Sequence, residues 1–139
     1  MSARVFVDTN ILVYAHDIDA GQKRQTAKDV LKRLLQEQSG AVSMQVLQEF
    51  YNTVTRKLAS PLSKADAREI VDDFSHWCVT TTPEEIRLAF RIEDEATISF
   101  WDALIIAAAV KSGAARVLSE DMNHGQRIAG VLVVNPFAA

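Results

Sequence analysis

The sequence predicts an α/β fold of three layers, with a mainly parallel central sheet of four to five strands and helices on both faces. Three observations lead there. Short apolar runs such as "RVFV" (Arg4–Val7) and "VLVV" (Val131–Val134) have the length and composition of strands buried on both faces. Helical segments separate these runs, so successive strands need the crossover connections that parallel pairing requires. The chain has 139 residues, 48% of them hydrophobic, which suits one domain, 1–139, around one full core.

Each element follows from local chemistry. "RVFV" is the first strand, and it ends at Asp8. "NILVYAH" then begins a helix, with Thr9 or Asn10 as its cap. Gly21 breaks that pattern. Gln22–Glu37 is a charged amphipathic helix, with Ala27, Val30, Leu31, Leu34 and Leu35 at helical spacing. Ser39–Gly40 stops it, and Ala41–Ser43 reads as a second short strand. Met44–Lys57 is a helix with an apolar face of Val46, Leu47, Phe50, Tyr51, Val54 and Leu58. Ser60–Ser63 is a turn, and Ser63 with Asp66 resembles a capping box for a helix running to Trp77. "CVTT" (Cys78–Thr81) is a third strand candidate. Thr82, Pro83 and Glu85 make a strong start for a helix to Glu95. Ser99 and Asp102 open a further helix, which reaches Ser112 and ends at Gly113. "RVLS" (Arg116–Ser119) is a fourth strand, Glu120–Gln126 a polar loop, and Val131–Val134 the fifth strand.

Composition narrows the function. The one cysteine, Cys78, excludes an intramolecular disulfide and fits a reducing cytoplasm. His16, His76 and His124 lack metal-finger spacing. The N-terminal "MSARVFVD" has no apolar signal region, and no apolar run is long enough to span a bilayer, so a soluble cytoplasmic protein without a membrane partner is expected. The net charge of −3 argues against a generic nucleic-acid-coating protein.

Open parallel sheets bind ligands beyond the carboxyl ends of their strands. Asp8 ends the first strand there, and Asp121 follows the fourth strand by two residues. Glu49 comes early in the helix after the second strand, and Asp102 lies in the first turn of the helix before the fourth. Each also has an ordinary reading. Asp8 could cap a helix, Glu49 could be a solvated helix residue, Asp102 could complete a capping box with Ser99, and Asp121 could be a turn residue. Asp102 is the least ordinary, because it opens "ALIIAAAV", a helix apolar all round, with no Lys or Arg within a helical turn. Carboxylates gathered at one sheet edge repel, and an all-oxygen set suits magnesium or manganese. Setting four of the 18 acids aside leaves 14 against 15 bases, so Lys23, Arg24, Lys28, Lys32 and Arg33 could face phosphate.

"VFVDTNILVYA", "LQEFYNTVTRK", "SFWDALIIAAA" and "VLSEDMNHGQ" together resemble the four motif blocks of PIN-domain ribonucleases, and most closely the VapC toxins of bacterial toxin–antitoxin pairs. The resemblance covers almost the whole chain, in order. It implies a metal-dependent ribonuclease with an acidic pocket for magnesium or manganese. By position, Asp8, Glu49, Asp102 and Asp121 match the acidic quartet, Asn10 a polar residue beside the first acid, and Ser119 the hydroxyl residue two before the fourth. Glu120 adjoins Asp121 and is the alternative for that fourth position. The resemblance further implies an RNA substrate, a homodimer and a cognate antitoxin protein.

Two other readings compete. A phosphatase of the haloacid-dehalogenase type also starts with a strand ending in aspartate, but it needs a second acid where Asn10 stands. A non-catalytic binding protein of the same fold would have no need of an intact quartet.

Overall fold

In the computed structural model, residues 3–138 are described; Met1, Ser2 and Ala139, at the ends of the expected domain, lie outside. Strand β1 (Arg4–Val7) leads into helices α1 (Thr9–His16) and α2 (Gln22–Glu37). Strand β2 (Gly40–Ala41) is followed by α3 (Met44–Arg56), α4 (Lys64–Phe74) and a 3-10 turn (Ser75–Trp77). Helices α5 (Pro83–Ala96) and α6 (Phe100–Lys111) precede β3 (Ala114–Leu118), β4 (Arg127–Ile128) and β5 (Val131–Val134).

The five strands form one sheet in the order β2-β1-β3-β5-β4. The pairings β1 with β2, β1 with β3, and β3 with β5 are parallel; only β4 runs antiparallel, against β5. The connection from β1 to β2 moves one way across the sheet, and the one from β2 to β3 moves back past β1. Right-handed crossovers then put their helices on opposite faces, giving the expected layers. Phe6, Val7, Val117 and Val133 are fully buried in the middle layer. Helix α6 buries Ala103 and Ile105–Ala109 and packs on β3 and α5, which explains its lack of a polar face.

Helix starts match their local signals. Thr82 and Glu85 form a complete capping box with Pro83 in the first turn. Ser63 and Ser99 cap α4 and α6 by accepting from the backbone N–H of Asp66 and Asp102, each at 3.1 Å. Helix α1, however, is capped by Asp8 rather than by Thr9 or Asn10. The strand ends one residue earlier than those caps would require, so Asp8 keeps an extended backbone and Thr9 is already helical.

Four strand expectations change, one of them only in its bounds: the fourth strand runs Ala114–Leu118 rather than Arg116–Ser119, which leaves Ser119 just past its end. Cys78–Thr81 is not a strand: only Val42 and Cys78 bridge, and Thr80 and Thr81 are exposed. The segment is short because Thr82 is committed to capping α5. The second strand is Gly40–Ala41 rather than Ala41–Ser43, since Ser43 caps α3 through Val46 N–H. Strand β4 lies inside a stretch with no strand signal, turned by Ala129 and Gly130, both with positive φ (51° and 83°). Paired positive-φ residues make the tight turn that matches strand twist. Among the described residues, no helix is long and apolar enough to cross a membrane.

Candidate active site

Strands β1 and β3 are neighbours, yet the chain leaves β1 towards β2 on the other side. This is a topological switch point, where the crevice beyond the strand ends is open. Val7 pairs with Leu118 in register, so the next residues, Asp8 and Ser119, leave the two strands side by side. The ladder runs one step further: Asp8 N–H donates to Leu118 C=O, and Ser119 N–H to Val134 C=O, both at 3.0 Å. Both side chains are thus fixed at the rim, with Asp8 5% exposed and Ser119 fully buried.

Ser119 Oγ donates to Asp8 Oδ2 at 2.7 Å and accepts from Asp121 N–H at 3.1 Å. The other Asp8 oxygen accepts from Thr9 N–H at 2.7 Å. Asn10, in the first turn of α1, spans the crevice. Its Nδ2 donates to Asp121 Oδ2 at 3.0 Å, and its Oδ1 accepts from Glu120 N–H at 3.2 Å. Asp8 is therefore at once a helix cap and a member of a polar cluster, so the two readings of this residue do not exclude each other.

Glu49 is exposed on α3 and Asp102 is half-buried in the first turn of α6. Gln45 Nε2 donates to Trp101 C=O at 3.3 Å, tying together the helix starts that carry them. The capping box expected at Asp102 is only half made. Its backbone N–H reaches Ser99, but among the described residues its carboxylate returns no bond to the Ser99 backbone. The carboxylate does not complete the start of α6 as that of Glu85 does for α5.

Electrostatics joins the four acids. Burial is the largest cause pushing the Asp8 carboxyl up, to about 6; hydrogen bonds from Ser119 and Thr9 oppose it, and the charges of Asp121 and Glu49 add to it. Burial also raises the Asp102 carboxyl, opposed by the Ser99 hydroxyl and helped by the charge of Asp121. Asp121 thus acts on both Asp8 and Asp102, and Glu49 on Asp8. Among the described residues the one ion pair is Lys23–Glu120, so no Lys or Arg neutralises this group.

As they stand, no three Asp, Glu, His or Cys side chains among the described residues are gathered closely enough to grip one ion. The donor set still fits magnesium or manganese. It is all oxygen, it carries excess negative charge, and magnesium binds through one or two carboxylates while keeping several waters. Asp8 and Asp121, linked through Ser119, are the best-placed pair, and Glu49 and Asp102 are coupled to them by charge.

Glu120 behaves differently from its neighbour. It accepts from Tyr14 Oη at 2.6 Å and pairs with Lys23. Burial alone would push its carboxyl up, but the Lys23 and Tyr14 hydrogen bonds and the Lys23 charge outweigh that and hold it below its usual range. Neither Tyr14 nor the pairing of Lys23 was among the sequence expectations. The available signal was that Tyr14 stands one helical turn after Asn10, on the same face. The basic run of α2 divides between two settings. Lys23 is paired, and Arg24, Lys28 and Lys32 line a groove that also holds Asp66, Glu69 and Asp73.

Comparison with solved structures gives chains of the same fold. A toxin–antitoxin complex from Klebsiella pneumoniae matches with a TM-score of 0.71 and 19% identity, covering 97% of this chain and 99% of that one. VapBC2 from Rickettsia felis, bound to a promoter DNA fragment, gives 0.66 and 19%, over 93% and 96%. VapC20 of Mycobacterium tuberculosis, described as a sarcin–ricin loop cleaving toxin, gives 0.60 and 19%, over 81% and 86%. No curated protein matches by sequence. The model of the PIN domain matches residues 5–129, which contain the crevice and all four acids, and the chain belongs to the PIN-domain family.

Proposed function

We propose that this chain is a magnesium- or manganese-dependent ribonuclease and the toxin component of a toxin–antitoxin pair, acting in the cytoplasm. The observation that carries the reading is Asp8: a carboxylate buried at the strand end and raised to about 6, with the charges of Asp121 and Glu49 adding to that rise and no Lys or Arg paired with it among the described residues. A structural cap needs one acceptor and no second or third acid. Asp8, Glu49, Asp102 and Asp121 would hold the ion and serve as the catalytic group. A divalent ion bound there would activate a water and stabilise charge on the scissile phosphate. The chain's own part is positional. Ser119 fixes the Asp8 carboxylate, Asn10 fixes that of Asp121, and the buried helix α6 carries Asp102 in its first turn.

The toxin reading is supported by neighbours that are themselves toxins or toxin–antitoxin complexes. A cognate antitoxin and a homodimer are part of the proposal. The test is a cleavage assay on a structured RNA, with either metal and with excess chelator. Metal-dependent cleavage leaving 5′-phosphate ends is expected, since a metal-activated water replaces the 2′-hydroxyl as nucleophile. Full activity in chelator, or 2′,3′-cyclic phosphate products, would overturn it. Turnover of a phosphomonoester instead of RNA would restore the phosphatase reading.

A further inference from the structure

We propose that Glu120 is a positioning residue: Tyr14 and Lys23 hold its carboxylate and so anchor the turn that presents Asp121 to the crevice. This rests on the reading above, in which Asp121 helps to hold the metal. Both Glu120 oxygens are engaged. Oε1 accepts from Tyr14 Oη at 2.6 Å and Oε2 pairs with Lys23 Nζ. The ammonium also lies 5.0 Å from the Tyr14 ring centre and 5.6 Å from that of Phe137, and the two rings meet edge to face at 5.2 Å. The anchor therefore comes from α1, α2 and the segment after β5.

A surface Lys–Glu pair contributes little on its own, but here the Tyr14 phenol and the Lys23 ammonium both hold one carboxylate, and the Tyr14 and Phe137 rings flank that ammonium. Its neighbour is held from the other side. Asn10 accepts from Glu120 N–H and donates to Asp121 Oδ2, while Ser119 Oγ accepts from Asp121 N–H. With Glu120 tied outward to α2 and the main chain tied inward to Asn10 and Ser119, the Asp121 carboxylate keeps one orientation. The same contacts separate the two adjacent acids. Glu120 has no oxygen left without a partner, whereas Asp121 Oδ1 has none among the described residues.

The test titrates manganese against thermal stability and measures RNA cleavage for Glu120→Ala, Glu120→Gln, Tyr14→Phe and the Glu120→Ala/Tyr14→Phe pair. Asp121→Asn is the control. Partners that orient a metal ligand typically change affinity by about tenfold or more. Glu120→Ala is expected to raise the manganese needed for half-maximal stabilisation about tenfold, with kcat reduced and KM for RNA unchanged. Tyr14→Phe should give a smaller change that disappears in the Glu120→Ala background. Glu120→Gln retains an oxygen for the Tyr14 hydroxyl and should fall between Glu120→Ala and the parent. An unchanged titration for a folded Glu120→Ala, while Asp121→Asn abolishes the manganese shift, overturns the positioning role alone. If Asp121→Asn also leaves the shift intact, the carboxylate-site reading fails, and this inference with it. Should Glu120→Ala not fold, Glu120→Gln and Tyr14→Phe decide by the same titration.

Discussion

Ser119 Oγ lies 2.7 Å from Asp8 Oδ2 and donates to it across 111 residues of chain. This bond joins the ends of two parallel strands, and Ser119 also accepts from Asp121 N–H. One hydroxyl therefore serves two of the four acids. Replacing Ser119 by alanine leaves a buried acceptor and a donor without their partner, which costs about 1–3 kcal/mol. It also removes a hydrogen bond that lowers the Asp8 carboxyl, so that carboxyl rises further above about 6. At sub-saturating metal, where protons compete with the ion for Asp8, the acidic limb of the pH–rate profile is expected to move to higher pH. Melting curves and a pH–rate series check both parts, and an unmoved acidic limb would remove Ser119 from the site.

Asp8 makes the metal-free protein sensitive to pH. Its folded carboxyl sits near 6 against an ordinary value of 3.8. The folded state therefore binds more protons than the unfolded state between those values, and stability falls as pH rises through that window. The rise from 3.8 to about 6 corresponds to roughly 3 kcal/mol for this group, present below about pH 4 and gone above about pH 6. Asp8→Asn is expected to flatten that slope and to melt at or above the parent at neutral pH without metal. Denaturant titrations at several pH values are the measurement, and a slope identical in both proteins contradicts the assignment.

Asp102 and Ser99 separate stability from chemistry. Ser99 supplies the cap, so Ser99→Ala is expected to lose about 1 kcal/mol and to keep most of its cleavage. Asp102→Asn removes a charge that is repelled by Asp121 and leaves the Ser99 cap in place. Its metal-free melting temperature should equal or exceed the parent's, while manganese stabilisation and RNA cleavage collapse. Paired melts with and without manganese, alongside cleavage on the same samples, distinguish the two. A destabilised Asp102→Asn that still cleaves would make this residue a cap after all.

Gly40 carries a packing constraint. A Cβ built there would stand 2.5–2.6 Å from three ring carbons of Trp77. Gly40→Ala is expected to cost about 1–3 kcal/mol through overpacking. Trp77→Leu should relieve part of that loss, so the double variant should be more stable than the sum of the single changes predicts. Additive melts would mean that the ring simply moves aside.

The elements that could be read along the chain are those whose causes are local. Thr82, Pro83 and Glu85 start α5 with contacts inside one helical turn, and "ALIIAAAV" specifies burial by having no polar face. The apolar run ending at Asp8 places an acid at a strand end by its order alone. Parallel architecture follows too, because helices alternate with short apolar strands. Other features depend on partners distant in sequence. Cys78–Thr81 has strand-like residues, but Val42 alone bridges to it. Strand β4 has no apolar pattern and exists because Ala129 and Gly130 turn it back onto β5. Tyr14 and Lys23 meet Glu120 across 106 and 97 residues, which no spacing rule reports. Periodicity and capping are short-range effects written in neighbouring residues. Which of two adjacent acids, Glu120 or Asp121, is engaged and which faces the crevice depends on contacts that form only once α1, α2 and β3 pack together.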